Sequence, residues 1–173
     1  HTTPGTRIWL TGASYGIGRD LAFEFAAHGA HLGLTARSAD KLEALCKEIE
    51  DAGGRAVALP GDVTDRDAMH RVADDMEREL GGIDVLIANA GTHVPTDVDA
   101  FDVEQYMDLM RLNYAGALNC IEAVLPRMLA ARSGHIVGVS SLAGYRGVPG
   151  AAAYSATKSA LINFLESMRF DLD

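Results

Sequence analysis

Short apolar runs alternate with longer segments of helical periodicity from one end of the chain to the other. Arg7–Thr11 (RIWLT) reads as a strand, and residues 20–28 (DLAFEFAAH) place apolar side chains at helical spacing before Gly29 closes the segment. The alternation then repeats. Residues 31–36 predict a strand, 39–52 a helix stopped by Gly53-Gly54, 56–60 a strand, and 65–80 a helix stopped by Gly81-Gly82. Residues 85–89 (VLIAN) predict a fourth strand. Asp102 with Gln105 offers a capping box for a long helix running toward Leu125, which Pro126 is expected to interrupt. Residues 135–140 (HIVGVS) predict a fifth strand, and 154–172 a helix carrying Leu161, Phe164, Leu165 and Met168 on one face.

Continuously apolar strands, each followed by a helix, are buried on both faces. Right-handed crossovers then make the expected fold a single α/β domain over residues 1–173, a Rossmann-like doubly wound parallel sheet. No internal repeat or low-complexity linker divides it.

Composition narrows the function. The 173 residues are 48% hydrophobic and 23% charged, enough for one sizeable core. A net charge of -9, from 15 basic against 24 acidic residues and with no basic run, argues against a nucleic-acid surface. Cys46 and Cys120 are too few and too far apart for a disulfide framework, and the histidines are scattered, so no metal site is expected. No membrane-length apolar run or secretory leader is visible, and a cytoplasmic protein is expected.

The segment Thr11-Gly12-Ala13-Ser14-Tyr15-Gly16-Ile17-Gly18 lies between a strand and a helix. Absent side chains there let the backbone approach a pyrophosphate, and the helix N-terminus supplies N–H donors. The spacing is Gly-x-x-x-Gly-x-Gly, not the Gly-x-Gly-x-x-Gly of most dinucleotide dehydrogenases. With its leading Thr11 it resembles the short-chain dehydrogenase/reductase family.

At the end of the second strand, a carboxylate would accept bonds from the adenosine ribose of NAD and repel the extra phosphate of NADP. Here Ala36 is followed by Arg37, whose guanidinium suits a 2′-phosphate, with Ser38 as a second donor. NADP(H) is therefore the preferred cofactor, with NAD(H) an alternative. The chain departs from many NADP-preferring members of the family at Tyr15, where they carry a basic residue. The resemblance also places Asp62-Val63 against the adenine and Asn89-Ala90-Gly91 beside the ribose.

Tyr154 and Lys158 stand at i and i+4, one above the other on one helical face, a phenol beside a cation. Alone, such a pair would look like any surface ion-dipole contact. It follows a strand ending in Ser140-Ser141, as in the family, and the resemblance implies the roles. Tyr154 exchanges a proton with the substrate oxygen, and Ser141 hydrogen-bonds that oxygen. Lys158 holds the nicotinamide ribose. Asn113 matches the asparagine that interrupts the preceding helix and holds a water leading to the lysine.

The resemblance covers essentially the whole chain. It implies further strands and a substrate-covering segment beyond the tyrosine helix, which this sequence does not contain. Expected substrate walls are Thr92, His93 and Val94, and residues 142–149, where Ala143, Gly144, Val148 and Pro149 suggest an apolar surface and Tyr145 and Arg146 a polar one. The expected partners are a small-molecule alcohol or carbonyl and further copies of the chain, as a homodimer or homotetramer. Two other classes stay open: a nucleotide-sensing scaffold without catalysis, and an epimerase or dehydratase that uses the same tyrosine.

Overall fold

The computed structural model describes residues 3–172. Five strands form one parallel sheet: β1 (Arg7–Thr11), β2 (His31–Thr35), β3 (Arg55–Ala58), β4 (Val85–Ala88) and β5 (His135–Gly138), in the spatial order β3-β2-β1-β4-β5. The α-helices are α1 (Gly16–Ala27), α2 (Ala39–Asp51), α3 (Arg66–Leu80), α4 (Val103–Met110) and α5 (Gly116–Ala131) between the strands, and α6 (Ala152–Leu172) after the last. The order reverses beside β1, the first strand, which pairs with β2 on one side and β4 on the other. A crevice opens at that switch point, beyond the carboxyl ends of the strands.

Alternation along β1 divides the core. Trp9 faces one side, with Met69 and Met76 of α3 and Val124 of α5, while Ile8 and Leu10 face the other, with Leu42, Leu45 and Ile49 of α2. Close packing favours glycine at two points in the sheet, because a Cβ on Gly33 would stand 1.9 Å from the Met76 sulfur and one on Gly138 2.5 Å from a Leu165 methyl. At the opposite end of β1, the Arg7 guanidinium and backbone N–H both donate to Asp84 at 2.8 Å, and this pairing holds the Asp84 carboxyl below its usual range.

Several boundaries differ from the sequence expectation. α1 begins at Gly16, inside the glycine loop, after Tyr15 in extended conformation. β2, β4 and β5 each end one or two residues early, so that their last predicted residues turn out of the ladder toward the crevice. The expected capping box does not form. Asp102 caps alone, accepting from the Glu104 N–H at 3.0 Å, while the Gln105 amide reaches the Pro95 carbonyl at 3.4 Å.

The long helix is not interrupted at Pro126 but loosened earlier. Arg111–Ala115 forms a π-helical turn between α4 and α5, and α5 continues through Pro126 to Ala131. Pro126 costs one backbone hydrogen bond, yet Ile121, Val124 and Met128 on either side of it are buried against α3 and the sheet, and that packing holds the helix. No helix among the described residues is long and apolar enough to cross a membrane.

Candidate active site

A cleft of ≈ 500 Å³ lies at the carboxyl ends of the strands. It is lined by Gly12, Ser14, Tyr15, Gly16, Ile17 and Gly18 from the first loop, by Arg37 and Ser38 after β2, by Asp62 and Val63 after β3, by Asn89, Ala90 and Gly91 after β4, and by Tyr154 and Lys158. Ser141 and Asn113 are not on its wall. Of the expected substrate walls, Thr92 and His93 line the cleft, whereas Val94 and residues 142–149 do not.

The glycine loop is shaped by close approach. Gly12 has φ +66°, and a Cβ there would lie 2.8 Å from the Ala90 Cα; a Cβ on Gly18 would lie 2.1 Å from the Gly12 carbonyl oxygen. Gly16 is different: its missing side chain faces open space in the cleft wall, so bare backbone is presented to the cavity. The loop is fastened to the end of β4. Thr11 Oγ1 accepts from the Asn89 and Ala90 N–H groups at 3.1 Å each, and Asn89 Nδ2 donates to the carbonyls of Thr11 and Gly12 at 3.0 and 3.3 Å. The Asn89 amide nitrogen is thus committed to the loop.

At the other end of the cleft wall, Arg37 and Lys41 have no carboxylate partner among the described residues. Ser38 precedes α2 without a side-chain capping bond, leaving its hydroxyl uncommitted. Asp62 accepts from the Thr64 N–H and hydroxyl through one carboxylate oxygen, at 2.9 and 2.8 Å. Arg19, just beyond the glycine loop, pairs instead with Glu48 at 2.6 Å and lies over the Phe23 ring. Sequence reasoning missed Lys41, although its spacing of four residues from Arg37 was a signal. It also missed Thr35, Gly61, Leu112, Val139 and Ser140, which carry no distinguishing pattern.

Near Tyr154 the polar groups are closely organised. Lys158 is 5% exposed, donates to the Val139 carbonyl at 2.8 Å, and stands 5.7 Å from the centroid of the Tyr154 ring. Burial pushes its pKa below the ordinary 10.5. The His93 ring meets the Tyr154 ring edge-on, with centroids 5.0 Å apart. Ser140 Oγ donates to the Lys158 carbonyl at 3.1 Å. Ser141 Oγ accepts from the Ala143 N–H at 3.2 Å, capping a short 3₁₀ turn at Leu142–Gly144, and its own proton stays available.

Asn113, 1% exposed in the π-helical turn, acts as a fastener. Its Oδ1 accepts from the Thr92 N–H at 2.9 Å, and its Nδ2 donates to the Thr92 carbonyl at 2.8 Å and to Thr157 Oγ1 at 3.2 Å. Thr157 Oγ1 in turn donates to the Tyr154 carbonyl at 2.7 Å. Among the described residues no three His, Cys, Asp or Glu side chains gather as a metal site. Cys46 and Cys120 are free and buried, and burial pushes their thiols up to about 11 and about 12.

A profile of the short chain dehydrogenase family matches residues 6–173. An uncharacterized oxidoreductase of Myxococcus xanthus is 41% identical over 94% of this chain and 64% of its own length. A 3-oxoacyl-[acyl-carrier-protein] reductase of Staphylococcus epidermidis is 34% identical over 94% of this chain and 67% of its own. The structure of a 7α-hydroxysteroid dehydrogenase complexed with NADH and 7-oxo glycochenodeoxycholic acid superposes with a TM-score of 0.92 at 29% identity, covering 98% of this chain and 66% of that one. The chain therefore spans about two thirds of the length of the relatives it matches.

Proposed function

The chain belongs to the short chain dehydrogenase family, and from that premise we propose that the protein is an NADP(H)-preferring oxidoreductase that interconverts an alcohol and a carbonyl, with Tyr154 as general acid and base. The observation that carries this reading is convergence. Tyr154 and Lys158 stand on the wall of the same cleft as the glycine loop and Arg37.

The residues present fit a dinucleotide. Gly16 offers bare backbone to the cleft at the start of α1, where a helix N-terminus favours a pyrophosphate. Arg37, Ser38 and Lys41 gather uncommitted donors at the end where an adenosine 2′-phosphate would lie, which supports NADP over NAD. Asp62 would accept from the adenine amino group, with Val63 beside the ring. When bound, the cofactor supplies or removes the hydride at the reacting carbon.

The protein side of the chemistry is a proton at a fixed place. In the reductive direction the Tyr154 phenol gives its proton to the substrate oxygen, so negative charge does not build up without a partner. The Lys158 ammonium lies 5.7 Å from the Tyr154 ring and favours the resulting tyrosinate. Ser141 lies off the cleft wall, in the turn after β5; its hydroxyl proton is uncommitted, and in this reading it donates to a substrate oxygen that reaches beyond the cleft. Asn113 supports the constellation through Thr92 and Thr157.

The partners are a small-molecule alcohol or carbonyl and further copies of the chain, assembled in the cytoplasm as a dimer or tetramer. Exposed Phe101, Met107 and Phe170 offer apolar surface for that contact. Light scattering that returns a monomer mass would overturn the assembly.

The test of function is a titration of the intact protein with NADPH and with NADH, followed by the emission of Trp9. The indole is buried and donates to Thr35 Oγ1 at 2.9 Å, and Thr35 lines the cleft, so occupancy is read through one hydrogen bond. Tighter NADPH binding is expected, and a carbonyl screen then identifies the substrate. Binding of neither nucleotide would favour a scaffold that keeps the fold without the chemistry.

A further inference from the structure

The first turn of α6 carries Tyr154, and its start is held from outside the helix. The residue before it, Ala151, has no side-chain acceptor, so one of the orphan N–H groups that every helix leaves at its N-terminus needs a partner elsewhere. Thr96 supplies it. Its Oγ1 accepts from the Ala152 N–H at 3.1 Å, while its own N–H donates to the Gly150 carbonyl at 2.8 Å. Thr96 is 8% exposed, although the residues on either side of it, Pro95 and Asp97, are exposed. A buried threonine in an exposed loop, with hydroxyl and backbone both spent on one helix start 54 to 56 residues away, is a clamp.

The same loop grips the helix at two further points. His93 lies edge-on against the Tyr154 ring, and Thr92 is joined through Asn113 to Thr157, whose hydroxyl bonds the Tyr154 carbonyl. The ring and the helix start around Tyr154 are thus tied directly to residues 92–96, and its carbonyl is tied to them through Thr157 and Asn113.

We propose that Thr96 is a positioning residue for the reaction: it caps α6 in place of Ala151 and so fixes the first turn on which Tyr154 stands. The proposal rests on the oxidoreductase reading above. Thr96 does not line the cleft, so its effect reaches the substrate only through the placement of the phenol. A phenol that is misplaced by a fraction of an ångström transfers its proton poorly while the cofactor still binds.

The test compares Thr96→Val, which keeps the shape and removes the acceptor, with Thr96→Ser, which keeps the acceptor, both in the full-length protein. Three quantities are read: the NADPH dissociation constant, kcat and KM for reduction of a 3-oxoacyl thioester and of an aromatic diketone, and amide exchange across the peptide that contains Ala152 and Tyr154. Thr96→Val is expected to lower kcat about tenfold with KM and NADPH binding within about twofold, and to speed exchange at Ala152 about fivefold, the effect of one lost helix cap. Thr96→Ser is expected to restore both.

Unchanged kcat in Thr96→Val, or a Thr96→Ser variant as impaired as the valine, would overturn the positioning role while leaving the oxidoreductase reading intact. A wild-type protein that binds NADPH and reduces neither probe would overturn both.

Discussion

The Lys158 ammonium donates a 2.8 Å hydrogen bond to the Val139 carbonyl, just past the end of β5. Val139 itself donates to the Ala88 carbonyl at 3.0 Å, so the cation on α6 is braced against the ends of two adjacent strands. The bond holds a charged group where burial disfavours the charge, and stability therefore depends on pH.

Burial depresses the Lys158 pKa below 10.5. Between that depressed value and 10.5 the unfolded chain keeps a proton that the folded chain has released, so this group makes stability rise with pH through the window. The Lys158→Met variant should lack that contribution. Urea melts of both proteins from neutral pH up to 10.5 measure it, and parallel curves would rule it out.

Arg37 has no carboxylate partner among the described residues and lies on the cleft wall. If Arg37 holds the 2′-phosphate as proposed, Arg37→Asp removes that charge-assisted contact and adds a repulsion. The ratio of NADPH to NADH affinity is expected to fall by about tenfold or more. The Trp9 titration reads both constants, and an unchanged ratio would end the NADP assignment.

Tyr154→Phe keeps the ring and its edge contact with His93 while deleting the proton. Turnover on any substrate found by screening should drop by about 10²- to 10⁴-fold, with NADPH binding retained. A fully active variant would exclude the tyrosine mechanism.

Asn113→Leu should destabilise the fold by about 1–3 kcal/mol, because the part-buried Thr92 N–H and carbonyl and the buried Thr157 hydroxyl lose their side-chain partner together. Denaturant unfolding of the two proteins gives the difference. A loss of activity without any loss of stability would assign Asn113 to the chemistry instead.

Gly18→Ala should disrupt the glycine loop, since its Cβ would fall 2.1 Å from the Gly12 carbonyl oxygen. Gly16→Ala is the control for steric crowding, because its Cβ meets nothing within 4 Å, although φ +55° adds backbone strain. Comparison of their melting temperatures and cofactor affinities separates crowding from strain. Greater structural damage from Gly16→Ala would contradict the packing argument.

Much of the fold was readable because its signals are local. Strand runs of four or five residues, the helix-stopping glycines and the glycine loop each depend on neighbours within one or two turns of chain, and they predicted the β-α order and the parallel sheet correctly. The pairing of Tyr154 with Lys158 was equally local, since helical geometry alone puts positions i and i+4 on one face. Pro126 misled because propensity is local while the packing that overrides it is not: the apolar groups around it belong to a core shared with α3 and the sheet.

By itself, then, the sequence determined the order of elements, the glycine loop between β1 and α1, and the helical face shared by Tyr154 and Lys158. Only the tertiary structure decided how side chains distant along the chain are used. Asn89 is committed to Thr11 and Gly12, Asn113 to Thr92 and Thr157, Thr96 to the start of α6, and Arg19 to Glu48 rather than to the cleft. Each of these is a hydrogen bond or ion pair between residues that no helical or strand period relates, so the partner is chosen by the folded geometry.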